Sequence, residues 1–584
     1  MSDLLGSAAW STDLGQWRYQ SLGADGPPIS WDGGRFLLLG ENPYAGGFLH
    51  VRAPRQHIIS IAPTRSGKGV SLIIPNLLTY RGSVLVIDPK GENAWITAAR
   101  RRALGQKTYI LDPWNEVNGI YGSKAGIEEK SIASFNPLSI LKPGSDDFVE
   151  NLAYLADALI ITQGTKDPFW DDSARELCAG LMAYVVENPD FAPRASLGFV
   201  RKLLMRPNEE LQRTIKAAVE LGSSSVAALK LAQFENQEKT TSIASVIQSA
   251  RTQTAFLDSL THSTEKSDFS FDELCDGNAS VYLVLPMDKL QTHARWLRLM
   301  VSIAIRAVTR KGGVSAPSRG GGSQGPSGLP VLFMLDEFGT IGKLNMVAQA
   351  YGLSAGRGMI MWTFSQDLNQ LKRDYPEEWE TFIGNSQALT CFNVMDNFTA
   401  EYVSKFLGTQ TIEHRNVSTS QGTSVAPRSG NTPWSVKQRT TVSDSVSYST
   451  QTMSRSLLNP DEVRGLDGDR CIIMGHFPPI MSRRIVYQQD WDMLHWARED
   501  PHFPRTEDVR WQALKRRLYE MRSVARLLKE YDYEVKARWR GRYQVKKTDG
   551  SWTHIFANRD EIWKWTYLMV MDGVGQEVAL DRAA

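Results

Sequence analysis

Residues 58–71 read I-I-S-I-A-P-T-R-S-G-K-G-V-S. A β-branched apolar run leads into a loop of small residues, and a segment with helical character follows at 70–74. Strand, glycine-containing loop and helix in this order are the context of a nucleoside triphosphate site, because backbone N–H groups and the helix N-terminus face the phosphates. The segment therefore predicts a phosphate-binding loop in an α/β protein.

The loop departs from the usual phosphate-loop pattern at two positions. Ala62 stands where the first glycine belongs, and Gly69 stands where a serine or threonine hydroxyl normally binds Mg²⁺. Lys68 is present and supplies a point charge to the β- and γ-phosphates. A flexible glycine turn without a ligand is the alternative. We predict that the nucleotide is bound by Ala62, Pro63, Thr64, Arg65, Ser66, Gly67, Lys68, Gly69 and Val70.

Composition excludes several classes of protein. The 584 residues are enough for three or four domains, and 42% apolar with 22% charged residues is ordinary for a globular protein. The net charge of +2 means that any nucleic-acid surface must be local. The four cysteines lie far apart without C-x-x-C spacing, which argues against a zinc site or a disulfide scaffold. We find no signal peptide and no apolar run of about 18 residues, so we predict no transmembrane helix.

Strand and helix patterns alternate on both sides of the loop. Apolar runs at 83–88 and 107–111 follow it, separated by helical segments, and this β-α-β-α-β order predicts a mostly parallel, doubly wound sheet. Between 145 and 265 the strand signals vanish and segments with a 3.6-residue period dominate. We interpret this block as an all-helical insertion, after which strands resume at 279–285.

An acidic pair follows the apolar strand at 331–335. In phosphate-loop NTPases, an Asp at such a strand end holds the Mg²⁺ shell, and an adjacent Glu can activate the attacking water. We predict that Asp336 is the metal ligand and Glu337 the general base. The alternative is a strand end with two solvated acids.

Four other side chains are also candidates. Gln366 ends the next apolar strand and could sense the γ-phosphate, since we expect that strand to lie beside the phosphate-loop strand; an ordinary turn glutamine is the alternative. Arg357 could act on the site of a neighbouring subunit, or be a solvated arginine, and Arg65 is open to the same two interpretations. Asp88 could assist the metal or only cap the next helix.

The ordered set of motifs resembles the type IV secretion coupling proteins of the TraG-like branch, the conjugative DNA-transfer ATPases. The resemblance covers residues 50–490. The segments that carry it are A-P-T-R-S-G-K-G-V (62–70), V-I-D-P-K-G-E (86–92), S-F-N-P-L (134–138), D-P-F-W-D (167–171), L-D-E-F (335–338), T-F-S-Q-D-L (363–368), A-E-Y-V-S (400–404) and L-N-P-D-E-V (458–463).

The resemblance implies a hexameric RecA-like motor that uses ATP and Mg²⁺. Such a motor recruits relaxase-bound single-stranded DNA and passes it to a type IV secretion channel. Most members begin with transmembrane helices. We predict no such helix in this sequence, so the protein either docks on a separate membrane-anchor subunit, which is our prediction, or lacks its anchor in this sequence. We also predict a peripheral position at the cytoplasmic face of the inner membrane. Two alternatives stay open: a receptor ATPase for protein effectors, and a non-hydrolysing adaptor that uses ATP only to assemble a ring.

These observations together predict an architecture with four parts. They are an N-terminal β-rich segment (1–50), a RecA-like nucleotide-binding domain (51–144 and 266–490) with flexible loops at 311–329 and 411–455, an all-α insertion (145–265), and a basic, Trp-rich extension (491–584). Between residues 508 and 547 the sequence has 13 Lys or Arg against 5 Asp or Glu. That segment could bind phosphates and stack bases, or form an amphipathic helix with a solvated basic face. We hypothesise that the extension selects substrate.

Overall fold

The computed structural model describes most of the chain between residues 36 and 500 and parts of both ends. The described residues are 7–10, 36–41, 48–52, 56–121, 131–161, 169–235, 241–260, 262–311, 329–340, 342–353, 358–426, 439–500 and separate positions between 505 and 565. All structural statements below refer to these residues.

One large sheet of 11 strands forms the centre of the fold, in the order β2-β1-β13-β12-β9-β3-β8-β7-β4-β6-β5. The strands are β1 (Phe36–Glu41), β2 (Phe48–Arg52), β3 (His57–Ile61), β4 (Val84–Asp88), β5 (Lys107–Leu111), β6 (Ala279–Val284), β7 (Val331–Leu335), β8 (Met359–Ser365), β9 (Ser386–Cys391), β12 (Arg470–Gly475) and β13 (Phe477–Arg483). Two smaller sheets pair β10 (Thr409–Ala426) with β11 (Arg439–Ser456), and β14 (Tyr533–Ala537) with β15 (Tyr543–Lys547) and β16 (Thr553–Phe556).

The sheet is parallel from β9 to β5 and antiparallel at the other edge. Successive residues of a strand point to opposite faces. Ile59 and Ile61 accordingly join the core on one side of the sheet, whereas Ile58 joins the core on the other. Both faces are buried, as parallel sheets require, and this explains why the strands have continuous apolar runs.

Helices cover both faces. They are α1 (Ile74–Thr79), α2 (Glu92–Ala103), α3 (Glu116–Tyr121), α4 (Phe148–Leu159), α5 (Phe169–Glu187), α6 (Leu197–Leu204), α7 (Asn208–Val219), α8 (Val226–Leu231), α9 (Thr241–Gln253), α10 (Leu290–Lys311), α11 (Asn345–Leu353), α12 (Leu368–Asp374), α13 (Trp379–Gly384), α14 (Asn397–Leu407), α15 (Pro460–Arg464) and α16 (Trp491–Trp496). Every described element between Pro137 and Asp276 is helical. This helical block lies between β5 and β6, which pair directly with each other in the sheet.

The prediction of a flexible loop at 411–455 is wrong for most of that range. Strands β10 and β11 pair without a break from Thr409↔Ser456 to Ala426↔Arg439. The Ser/Thr-rich composition reflects a ribbon whose described side chains are almost all exposed, rather than a lack of structure. Thr and Val have high strand propensity even where no core covers them. The loop predicted at 311–329 lies outside the described residues except at its two ends.

The sheet is tied to the helices by one buried cation, Arg101. Its guanidinium donates to Ser280 Oγ at 2.8 Å, to the Gly82 carbonyl at 2.6 Å and to the Tyr80 carbonyl, and burial lowers its pKa to about 10. We expect Arg101→Leu to lower the free energy of unfolding by about 3–5 kcal/mol, because it leaves several buried acceptors without a donor. Chemical denaturation measures this.

The neighbouring arginine is the matched control for that measurement. Arg102 is half-buried and donates to Ser131 Oγ at 2.8 Å. Arg102→Leu should therefore lower the free energy of unfolding by less than about 1.5 kcal/mol. Equal effects of the two substitutions would contradict the prediction that Arg101 stabilises the fold more than Arg102 does.

Candidate nucleotide site

The predicted phosphate loop follows β3 and is anchored at both ends. The Ala62 N–H donates to the Ser365 carbonyl on β8 at 2.9 Å, and Ser66 Oγ donates to the Pro63 carbonyl at 2.6 Å. Gly67 has φ of +89°, in the left-handed region that favours glycine. The loop therefore curls back over the end of its strand, as a phosphate cradle must.

The loop leads into one wide helical turn before α1. The Ile74 N–H donates to the Gly69 carbonyl, an i to i−5 bond that closes a π-turn over Gly69–Ile73. Pro75 follows at the start of α1 and has no N–H to continue the ladder. Turns of this type often occur at functional sites. The helical turn begins after Lys68, and a helix N-terminus directs its first N–H groups toward an anion.

The acidic pair at the end of β7 meets Lys68. Lys68 Nζ lies 2.8 Å from Glu337 Oε1 and 3.3 Å from Asp336 Oδ1, and its side chain is only 9% exposed. The Glu337 N–H donates to Asp336 Oδ1 at 3.0 Å, and Glu337 has a φ of +53°. A non-glycine residue with positive φ costs of order 1–3 kcal/mol and occurs most often at functional sites.

Gln366 completes this cluster from the next strand. Its Nε2 donates to Glu337 Oε2 at 3.1 Å, and its backbone N–H donates to Gln370 Oε1 at 3.2 Å. Strand β8 pairs with β3 on one side and with β7 on the other. The adjacency predicted for the Gln366 strand is therefore confirmed.

Burial and charge oppose each other in this cluster. Burial alone would lower the pKa of Lys68, but Asp336 and Glu337 together raise it above its ordinary value. Burial raises the pKa of Asp336, with a further rise from Glu337, while the Lys68 charge acts in the opposite direction. Lys68 therefore stays protonated and holds two acids that would otherwise repel each other.

Asp88 ends β4 close to this cluster, but its carboxylate accepts hydrogen bonds from the start of α2. Its Oδ2 accepts from the Ala94 N–H at 2.7 Å and its Oδ1 from Asn93 Nδ2 at 3.3 Å, so it caps the first turn of α2. Burial raises its pKa to about 7, with a small contribution from the charge of Asp336. Of the two roles considered for Asp88, these contacts favour capping.

The remaining predicted residues are less informative. Thr64 and Arg65 are exposed at the tip of the loop, and Arg65 has a φ of +61°. Ala62, Ser66 and Lys68 are buried, and Pro63, Gly67, Gly69 and Val70 are partly buried. Arg357 lies outside the described residues, so its predicted role remains a prediction.

Sequence reasoning missed one residue at the site, Arg484. It follows β13, and its Nη1 donates to the Ser66 carbonyl although 418 positions separate the two residues. The guanidinium lies 5.4 Å from the centre of the Phe392 ring, and Nη1 lies 2.7 Å from where a Cβ on Gly67 would be. No local sequence signal marks this arginine, because its only connection to the loop is tertiary.

We expect Arg484→Ala to raise the KM for nucleotide about tenfold while kcat changes less, because the loop loses a donor that positions it. Arg484→Lys keeps the charge and should recover part of the affinity. Steady-state hydrolysis measures both constants. Arg483→Ala, at an exposed neighbouring position, is the control. A KM unchanged from that control would contradict the positioning role.

The described residues fit a nucleotide with Mg²⁺. A Cβ on Gly67 would lie only 2.7 Å from Arg484 Nη1, so the loop requires glycine at this position, and Lys68 supplies the charge. At Gly69, a Cβ would meet nothing within 4 Å, so the space where a hydroxyl usually lies is open. No group of three or more His, Cys, Asp or Glu in the described part of the chain could hold a metal by itself. Mg²⁺ usually binds through one or two carboxylates with phosphates and water, and Asp336 is suited to that.

Comparison with known proteins gives a consistent result. Residues 31–526 match the family described as type IV secretory system conjugative DNA transfer. The chain is 26% identical over 464 residues to protein VirD4 of Rhizobium radiobacter, covering 78% of this chain and 59% of that protein. It is 26% identical over 478 residues to the conjugal transfer protein TraG of Escherichia coli, covering 76% and 69%. The chain thus spans less than two thirds of the length of VirD4.

Solved structures agree with the fold. The bacterial conjugative coupling protein TrwB, as a form named TrwBdeltaN70, aligns with a TM-score of 0.54 at 13% identity, covering 83% of this chain and 95% of that one. Another TrwB structure, in complex with ADP and Mg²⁺, aligns with a TM-score of 0.50 at 14% identity, covering 74% and 86%. At 13–14% sequence identity, this structural similarity shows the fold alone, which is the RecA-like α/β fold.

Proposed function

The chain belongs to the type IV secretory system conjugative DNA-transfer family, and on this premise we propose that it is an ATP-driven coupling protein. It recruits a relaxase-bound single strand of DNA and delivers it to a type IV secretion channel. ATP and Mg²⁺ are the proposed cofactors, and the relative TrwB binds ADP with Mg²⁺.

One observation carries the enzymatic part of the proposal. Lys68, Glu337 and Gln366 come from three neighbouring strands and contact each other at one edge of the sheet. Carboxyl ends of parallel strands are where open α/β sheets bind ligands. A structural ion pair would not need Gln366 to orient the second oxygen of Glu337, nor the positive φ at Glu337.

In this proposal each residue of the cluster has a separate role in hydrolysis. Lys68 leaves Glu337 to pair with the phosphates, which frees Oε1 of Glu337. Glu337 accepts a proton from the attacking water at that oxygen, and Gln366 keeps the other oxygen in place. Asp336 would hold Mg²⁺, which when bound would neutralise charge on the phosphates. When the γ-phosphate is lost, Lys68 can return to Glu337.

The assembly of the motor extends the same proposal. Arg357 would act on the nucleotide of a neighbouring subunit in a hexameric ring, and the helical block between β5 and β6 would form a separate substrate-handling domain. In the part of the chain that is described, no helix is both long and apolar enough to cross a membrane. We propose that a separate subunit anchors the ring at the cytoplasmic face of the inner membrane.

The test is ATP hydrolysis at several protein concentrations, with and without single-stranded DNA. We expect the specific activity to rise with protein concentration, because a ring must form, and to rise further with DNA. Hydrolysis that is independent of both would contradict a DNA-driven ring motor. Stimulation by a protein substrate but not by DNA would instead favour an effector receptor. GTP in parallel tests the choice of nucleotide, since TrwB also binds a GTP analogue.

A further inference from the structure

The C-terminal sheet has one face closed by its own core. Strands β14, β15 and β16 pair antiparallel in chain order. Tyr533, Val545 and Phe556 are buried on one face. Trp565 is also buried and packs against them, with its ring 5.6 Å from that of Tyr533 and 5.2 Å from that of Phe556. This face therefore needs no other partner.

The opposite face is open, and the strand register sets its pattern. One row across the three strands is Glu534, Lys546 and Thr553, and the next row is Lys536, Gln544 and Ile555. We call these six residues the open face. Five of them are exposed, including Ile555 at 51%, and Gln544 is partly exposed. Lys536 and Lys546 form no ion pair with any residue that the structure describes.

We propose that the open face binds double-stranded DNA in the major groove. Its side chains have the chemistry of direct base recognition. Lysine contacts phosphates or guanine, threonine bonds to several bases, and an aliphatic side chain contacts the thymine methyl group. Sheets are an established means of reading DNA grooves.

The size and charge of the sheet suit this occupant. Strands about 4.8 Å apart place β14 and β16 about 10 Å from each other, within the roughly 12 Å width of the groove. The sequence around the sheet is basic in a chain that is nearly neutral, with 13 Lys or Arg against 5 Asp or Glu between residues 508 and 547. Local positive charge complements the phosphate backbone.

Two other occupants fit less well. Single strands bind mainly by stacking bases on aromatic rings, and the open face has no aromatic residue. Protein interfaces are enriched in Tyr, Trp and Arg and depleted in Lys, which is the reverse of the composition here. The proposal rests on the proposed function only in taking DNA as the substrate, and it assigns duplex contact to a surface remote in sequence from the nucleotide site.

The test compares two double variants of the full chain. Lys536→Glu with Lys546→Glu reverses the charge at both lysines of the open face. Lys142→Glu with Lys405→Glu makes the same charge change at exposed positions elsewhere. Fluorescence anisotropy with a random-sequence DNA duplex is recorded over a series of NaCl concentrations. We expect the open-face variant to bind the duplex at least about tenfold more weakly than the control. The slope of log K against log salt concentration should be shallower by about 2, because two phosphate contacts are lost. Single-strand binding and basal ATP hydrolysis should match the control.

Several results would overturn the proposal. Duplex affinity equal to that of the control would do so, and loss of DNA transfer in that case would assign the face to a protein partner. A loss confined to single-stranded DNA would also contradict it. Lys536→Gln with Lys546→Gln, which adds no acid, should give a smaller loss in the same direction and guards against misfolding. A chain that hydrolyses no ATP but still binds duplex through these lysines would contradict the proposed function and support this inference.

Discussion

Glu337→Gln is expected to reduce kcat for ATP hydrolysis by about 10²–10⁴-fold, the usual contribution of a general base. The amide cannot take the proton of the attacking water. Nucleotide affinity should rise at the same time. Lys68 Nζ lies 2.8 Å from Glu337 Oε1, so the phosphates must compete with this carboxylate for the lysine. A neutral side chain removes most of this competition, so more of the binding energy appears as affinity.

The measurement pairs single-turnover hydrolysis with titration of a fluorescent nucleotide. Glu378→Gln is the matched control, since Glu378 is also paired with a lysine, Lys343, at 3.3 Å but on the surface. That control should leave both quantities within about twofold. Hydrolysis by Glu337→Gln within a few-fold of wild type would remove the general-base role. It would also favour the non-hydrolysing adaptor if DNA transfer persisted.

Lys68→Ala has the second-largest expected effect, and it should act on binding first. A hydrogen bond to a charged group contributes about 1.5–3 kcal/mol, which corresponds to roughly a 10- to 100-fold weaker Kd for ATP. The two partly buried acids also lose their shared cation, and the pKa of Asp336, which the Lys68 charge lowers in the wild type, should rise further. Without the lysine that pairs with the β- and γ-phosphates, hydrolysis should fall below detection.

Calorimetric titration with ATP and Mg²⁺ gives the Kd, and steady-state assays give the rate. Lys90→Ala is the control, because Lys90 is an exposed lysine in the turn after β4, where Asp88 ends the strand. It should match wild type in both measurements. Tight ATP binding by Lys68→Ala, equal to that control, would show that the loop does not hold phosphates through this lysine.

The family and the nucleotide site were predictable because their signals are local. Lys68, Asp336 and Gln366 each follow an apolar run, and that local context alone predicts their roles. The resemblance to TraG-like coupling proteins is confirmed, as is the RecA-like fold. Strand order within such a fold is regular, so it also predicts that β8 lies beside β3.

The errors have a common origin. The sequence of β10 and β11 predicts a flexible loop because it has few large apolar residues, yet the two strands pair along their whole length. The sheet of β14, β15 and β16 was missed because a basic, aromatic segment fits a helix and a strand equally well at single-residue level. Strands are stabilised by partners elsewhere in the chain, and pattern alone does not identify those partners.

The chemistry at each strand end follows from the sequence, since a phosphate loop, an Asp-Glu pair and a glutamine depend on residues adjacent in the chain. The way in which these groups meet depends on the tertiary structure. The Lys68–Glu337 ion pair joins residues 269 positions apart, and the Arg484 contact to the phosphate loop spans 418. Such contacts depend on strand order and register, which are set by burial of both sheet faces over the whole domain. That burial is a collective property, and no short segment of sequence contains it.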